Sequence, residues 1–111
     1  MNTLASGFAR ERPSEVTFGG TVLSAPHFFY GSHTHAVHEA FDVRSDDGRR
    51  LEIVDNVALA PRVPVVVGDR IAVRGELIPD ARPEPVVHWT HHDPGGAHAD
   101  GYIELDGRRY A

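Results

Sequence analysis

Four of the eight histidines and the single tryptophan fall in the run Val86-Val87-His88-Trp89-Thr90-His91-His92-Asp93-Pro94-Gly95-Gly96-Ala97-His98. Neutral imidazoles ligate transition metals, and histidine is the side chain that most readily moves protons near neutral pH. An apolar run feeding straight into so many polar groups is costly unless each of them finds a partner. On a regular strand His88, Thr90 and His92 would share one face, and Trp89 and His91 the other. Residues two apart lie roughly 6–7 Å apart, so His88 and His92 are too distant to share one ion while the strand stays regular. A mononuclear site would therefore use His91 or His92 after a break at Asp93-Pro94, with His98 folded back across Gly95-Gly96. His38, or the pair His33 and His35, would complete it from a neighbouring strand.

Three chemistries fit these residue types. The first is transition-metal binding by His38, His91, His92 and His98, with Asp93 as a further ligand or as the group that orients one. Such a site favours zinc, with copper, nickel or iron(II) as alternatives, and would support a small hydrolytic or redox activity. The spacing matches no standard zinc motif: there is no His-Glu-x-x-His and no cysteine pair. The second is metal-free acid–base catalysis, with His88 moving the proton, Asp93 orienting an imidazole and Arg62 stabilising developing negative charge. The third is purely structural. Trp89 would then pack wholly or partly in the core, His88 would be a hydrogen-bonded core residue, and Asp93-Pro94-Gly95-Gly96 would be an ordinary turn. Arg62 would organise the loop around Asn56, and His33 and His35 would be solvated.

The elements that must carry these residues are short strands. Residues 1–15 read as a poorly ordered arm with at most a short helical turn. Val16 to Ser24 is a strand with Val16, Phe18, Gly20 and Val22 on one face, and Gly19-Gly20 suits a bulge or sharp coil. Ala25 to Val37 reads as a loop, followed by a second strand from His38 to Arg44. Asp46-Asp47-Gly48 is a hairpin turn, and Arg50 to Val54 pairs back as the third strand. Pro61 and Pro64 forbid a long helix in Asp55 to Val66, leaving room for one turn at Val57-Ala58-Leu59. A turn at Val67-Gly68-Asp69 leads to a fourth strand, Arg70 to Leu77, and Pro79 to Pro85 is extended. A fifth strand begins near Val86, and Gly101 to Tyr110 is a terminal hairpin. Five or six short strands at this spacing predict an all-β domain over residues 16–111: a small, closed, OB-like β-barrel with a short terminal hairpin.

Composition limits the partners. At 111 residues and without cysteine the chain is one domain with no disulfide and no thiolate site. A net charge of −5 and the absence of lysine argue against a broad grip on nucleic acid. A non-catalytic barrel binding a single-stranded oligonucleotide or another ligand is the alternative to the metal reading. Phe28, Phe29 and Tyr30 would stack its bases, and Arg44, Arg70 and Arg74 would face its backbone. There is no transmembrane run and no signal peptide, so the chain as given reads as cytoplasmic.

Several of these stretches together resemble one bacterial family, named domain of unknown function 3465. His88-Trp89-Thr90-His91-His92-Asp93-Pro94 with His98, Gly101, Gly107 and Tyr110 is similar to its signature. Asn56-Val57-Ala58-Leu59-Ala60-Pro61-Arg62 resembles its Asn-x-x-Leu-Ala-Pro-Arg block. His38-Glu39-Ala40-Phe41, Gly68-Asp69 and Gly75-Glu76 follow its order over roughly residues 18–110. The resemblance implies an OB-like barrel and no particular activity. Members often carry export signals. This chain departs from the pattern at Asp55, where the family usually has histidine, and at Asp80 to Pro85, where it has an Asn-x-x-Gly-Gly turn.

Overall fold

A computed structural model describes residues 8–12 and 14–111; the remainder of the expected arm lies outside the described residues. Among the described residues nine strands follow one another: β1 (Phe8–Arg12), β2 (Glu15–Val22), β3 (His27–Gly31), β4 (Ala36–Ser45), β5 (Arg50–Asn56), β6 (Arg70–Ile78), β7 (Val86–His88), β8 (Tyr102–Leu105) and β9 (Arg108–Tyr110). No helix occurs among the described residues. Five strands close a ring in the order β2-β4-β5-β7-β6, because β6 pairs back onto β2. Every pairing in the ring is antiparallel except that of β5 with β7.

Closure works because three long strands each serve two neighbours along one edge. The first half of β2 pairs with β1, and Gly20 to Val22 then pair with β4. A Cβ at Gly20 would lie 2.8 Å from the Arg44 carbonyl oxygen, so this transfer needs a glycine. In β4, residues 36–40 pair with β3 and residues 43–45 with β2. In β6, residues 71–74 pair with β8 and residues 76–78 with β7.

The period-2 patterns are borne out. Val16, Phe18, Val22, Phe41, Val43, Leu51, Ile53, Ile71, Val73, Leu77 and Val87 are buried in one core. Val63 and Val65, from the proline-flanked segment after β5, add to that core from one end of the barrel. The expected single turn is present, with Leu59 N–H and Ala60 N–H both donating to the Asn56 carbonyl at 3.1 Å.

Three expectations are corrected. The loop predicted over 25–37 contains β3, which pairs with β4 over Gly31↔Ala36 to His27↔Ala40. Its residues are exposed or half-buried throughout, so no alternation marked it. Residues 8–12, expected to lie in a loosely ordered arm, pair with β2. The fifth predicted strand does not run to Asp93-Pro94. It stops at His88, because Trp89 takes φ 55°, which reverses the extended backbone.

Candidate functional site

The early end of β7 replaces the simple two-faced arrangement of the histidines. Thr90 is fully buried; His91, 4% exposed, and the half-buried His88 and Trp89 come together beside it. They border a cavity of about 220 Å³ whose floor includes Val54 and Asn56 of β5. His38 of β4, Thr34 from the turn before it and Leu59 complete the lining. Trp89 is thus a half-buried wall of this cavity.

Holding a tryptophan at positive φ costs on the order of 1–2 kcal/mol, so its surroundings must fix it. The indole stacks on His98 with ring centroids 4.0 Å apart and meets His91 at 5.2 Å. His98 is held by Glu76, Nδ1 to Oε2 at 2.5 Å, and the other carboxylate oxygen is 4.0 Å from His88 Nε2. The 93–98 turn returns His98 to this position. Asp93 Oδ1 accepts from Gly95 N–H at 2.9 Å, its Oδ2 accepts from His98 N–H at 2.6 Å, and Gly96 takes φ 72°. The His98 and Gly95 amides hold the Asp93 carboxyl below its usual range.

Two of the rings at the cavity are tautomerically fixed. A carbonyl can only accept, so His91 Nδ1–H donates to the His92 carbonyl at 2.6 Å and His38 Nδ1–H to that of Ala36 at 3.1 Å. In each neutral ring this leaves Nε2 with its lone pair. His38 also stacks on Phe29, centroids 5.3 Å apart. Burial lowers the pKa of both His88 and His91, which keeps these two rings neutral at physiological pH.

Beneath the site, on the inner face of the wall, stand two carboxylates that the sequence reading passed over. Glu39 and Asp55 are register partners on β4 and β5, and both are fully buried. Glu39 Oε1 accepts from Val63 N–H at 2.9 Å, and Asp55 Oδ1 accepts from the Thr90 hydroxyl at 2.9 Å. Glu39 Oε2 and Asp55 Oδ2 are buried without a partner. Burial, reinforced by the Glu39 charge, pushes the Asp55 carboxyl up to about 7, although the Thr90 hydrogen bond opposes it; Glu39 is raised as well, chiefly by burial. A signal for both existed: each lies in phase with the apolar residues of its strand, Phe41 and Val43 or Leu51 and Ile53.

A model of the family described as "protein of unknown function (DUF3465)" matches residues 11–111. The chain belongs to that family. No curated protein and no solved structure matches it. For this DUF3465 barrel the structure brings His38, His88 and His91 to one cavity and leaves the other candidates elsewhere. His92 is exposed, His98 is engaged by Glu76 behind the indole, and Asp93 serves its own turn. Arg62 lies over the Phe28 ring at 4.8 Å and does not line the cavity. Among the described residues no three His, Asp or Glu side chains are placed to hold one metal ion. The strand arginines are engaged too. Arg70 meets Asp46 through two bonds of 2.6 and 2.9 Å, Arg74 lies 4.0 Å from Glu15, and Arg44 donates to the Gly48 carbonyl. His33 and His35 are exposed in the turn after β3, as expected of solvated residues.

Proposed function

We propose that this barrel binds a small molecule in the cavity between His38, His88 and His91. The observation that carries the reading is the pair of fixed tautomers at one concave site: both rings commit Nδ1 to a backbone carbonyl, which leaves His91 Nε2 as an acceptor and His38 Nε2 as one shared with the Thr34 hydroxyl at 3.5 Å. A strained tryptophan at the same site is a second support, since such strain collects at ligand sites. Titration with a library of small fragments, followed by nuclear magnetic resonance, tests this. Binders are expected to shift the Trp89 indole N–H and to lose that effect in His91→Ala and in Asn56→Ala, each checked as folded by its own amide spectrum. Shifts confined to other faces, or none at all, would remove the proposal.

A bound transition-metal ion is a second reading, favoured by the same carbonyl-held tautomers, which are the usual outer support of metal-ligating histidine. His38 and His91 would hold the ion and solvent or a ligand would complete its shell, with zinc first by donor type. Elemental analysis of untagged protein decides it. One equivalent of metal, lost in the His38→Ala/His91→Ala variant, is expected on this reading. The same metal content in both proteins would discard it.

A further inference from the structure

The lining of the cavity specifies the kind of molecule that fits, an inference that rests on the binding reading above. Its volume, about 220 Å³, is below the usual range for drug-sized ligands, which limits the occupant to one or two rings. None of the lining side chains is Asp, Glu, Lys or Arg. A charged ligand would lose its hydration there without meeting a formal counter-charge, an expensive exchange. Glu76 does not line the cavity; its Oε2 is committed to His98 and its Oε1 lies 4.0 Å from His88 Nε2.

Shape and hydrogen bonding narrow the class further. The Trp89 indole, backed by the stacked His98 ring, offers a flat wall, and Val54 and Leu59 supply an apolar surface. Aromatic rings stack on such walls with offset geometry. The polar groups come in both senses. His91 presents an Nε2 acceptor and His38 Nε2 is shared with the Thr34 hydroxyl at 3.5 Å, while Asn56 spends its Oδ1 on Ala58 N–H at 2.9 Å and keeps its amide N–H groups to donate.

We infer that the cavity takes an uncharged, planar aromatic or heteroaromatic ligand carrying a carboxamide or lactam edge, whose N–H meets a histidine Nε2 and whose carbonyl meets the Asn56 amide. Benzamide, benzoate and benzamidine are near-isosteric probes that are neutral, anionic and cationic at pH 7.5. In titrations of the full chain followed at the Trp89 indole N–H, benzamide is expected to bind at least tenfold more tightly than either ion. Asn56→Asp keeps the acceptor for Ala58, removes the donor and adds a charge. It is expected to weaken benzamide and to strengthen benzamidine. If benzoate or benzamidine binds the native protein as tightly as benzamide, the inferred ligand class is wrong and the cavity remains a binding site. If none of the three perturbs the cavity while other fragments do, the class is wrong and the binding reading stands; if no fragment does, both fall.

Discussion

Replacing Asp55 with asparagine stabilises the barrel above pH 7 and removes the share of its pH-dependent stability that Asp55 contributes between about 4 and 7. The carboxyl of Asp55 titrates at about 7 in the folded chain against 3.8 as its ordinary value. Between those values the folded state holds a proton that the unfolded chain has released, so stability falls as pH rises through this window and is flat above it. The stabilising contribution is complete below 3.8 and gone above about 7. At about 1.4 kcal/mol per pH unit, the full loss is on the order of 4 kcal/mol. Glu39, raised in the same direction, adds to the loss. Carboxylates held low by partners, such as Asp93 with its turn amides and Asp46 with Arg70, act at more acid pH and in the opposite sense. Glu84, raised to about 7 beside Asp42, is untouched by the substitution and cancels in the comparison. Asparagine keeps an acceptor for Thr90 and can donate toward Glu39, whose Oε2 has no partner. Urea unfolding of both proteins at four pH values from 4.5 to 8 measures the difference. Parallel profiles would mean that Asp55 is ionised and solvated in the folded chain.

Gly101→Ala is expected to destabilise the protein by about 3 kcal/mol or more and to abolish binding at the cavity. A Cβ there would lie 2.0 Å from the Trp89 carbonyl oxygen, 2.7 Å from that of Arg74 and 2.9 Å from the Thr90 Cα. All three are backbone atoms of neighbouring segments, so no side chain can rotate away. Gly101 N–H also bonds the His91 carbonyl at 2.8 Å, which ties the start of β8 to the segment that presents Trp89 and His91. Gly95→Ala is the control. Its Cβ would approach only Asp93 Oδ1, at 3.4 Å, and its φ is not positive. Thermal unfolding of the two variants should show a large loss for Gly101→Ala and a change within about 1 kcal/mol for Gly95→Ala. Equal losses would show that residues 89 and 101 do not approach as closely as described.

The barrel was legible wherever one face of a strand is dry. Val16, Phe18 and Val22, or Leu51 and Ile53, repeat with period 2 because the core lies on one side of them. β3 has no dry face: Phe28, Phe29 and Tyr30 are all exposed, and an unburied strand leaves no periodic trace. The histidines of the candidate site were visible as a cluster, but their grouping was not. It depends on one backbone angle at Trp89, a residue type that seldom takes positive φ, and no pattern of side chains announces such a choice. The partnership of Glu76 with His98 and its approach to His88 were hidden for another reason. They follow from the register Glu76↔His88, which only the closed ring defines.

The parallel pairing of β5 with β7 also sets the order in which the molecule can assemble. Its two strands are separated by roughly thirty residues of chain, and a short strand gains little from pairing until that long loop has closed. The hairpin of β4 and β5 can form locally within a few microseconds. The cavity has one wall on that hairpin and the other on β7 and the residues after it, so it has no early precursor. His38 and Asn56 wait on their strands, and the site comes into being only when the last wall segment docks.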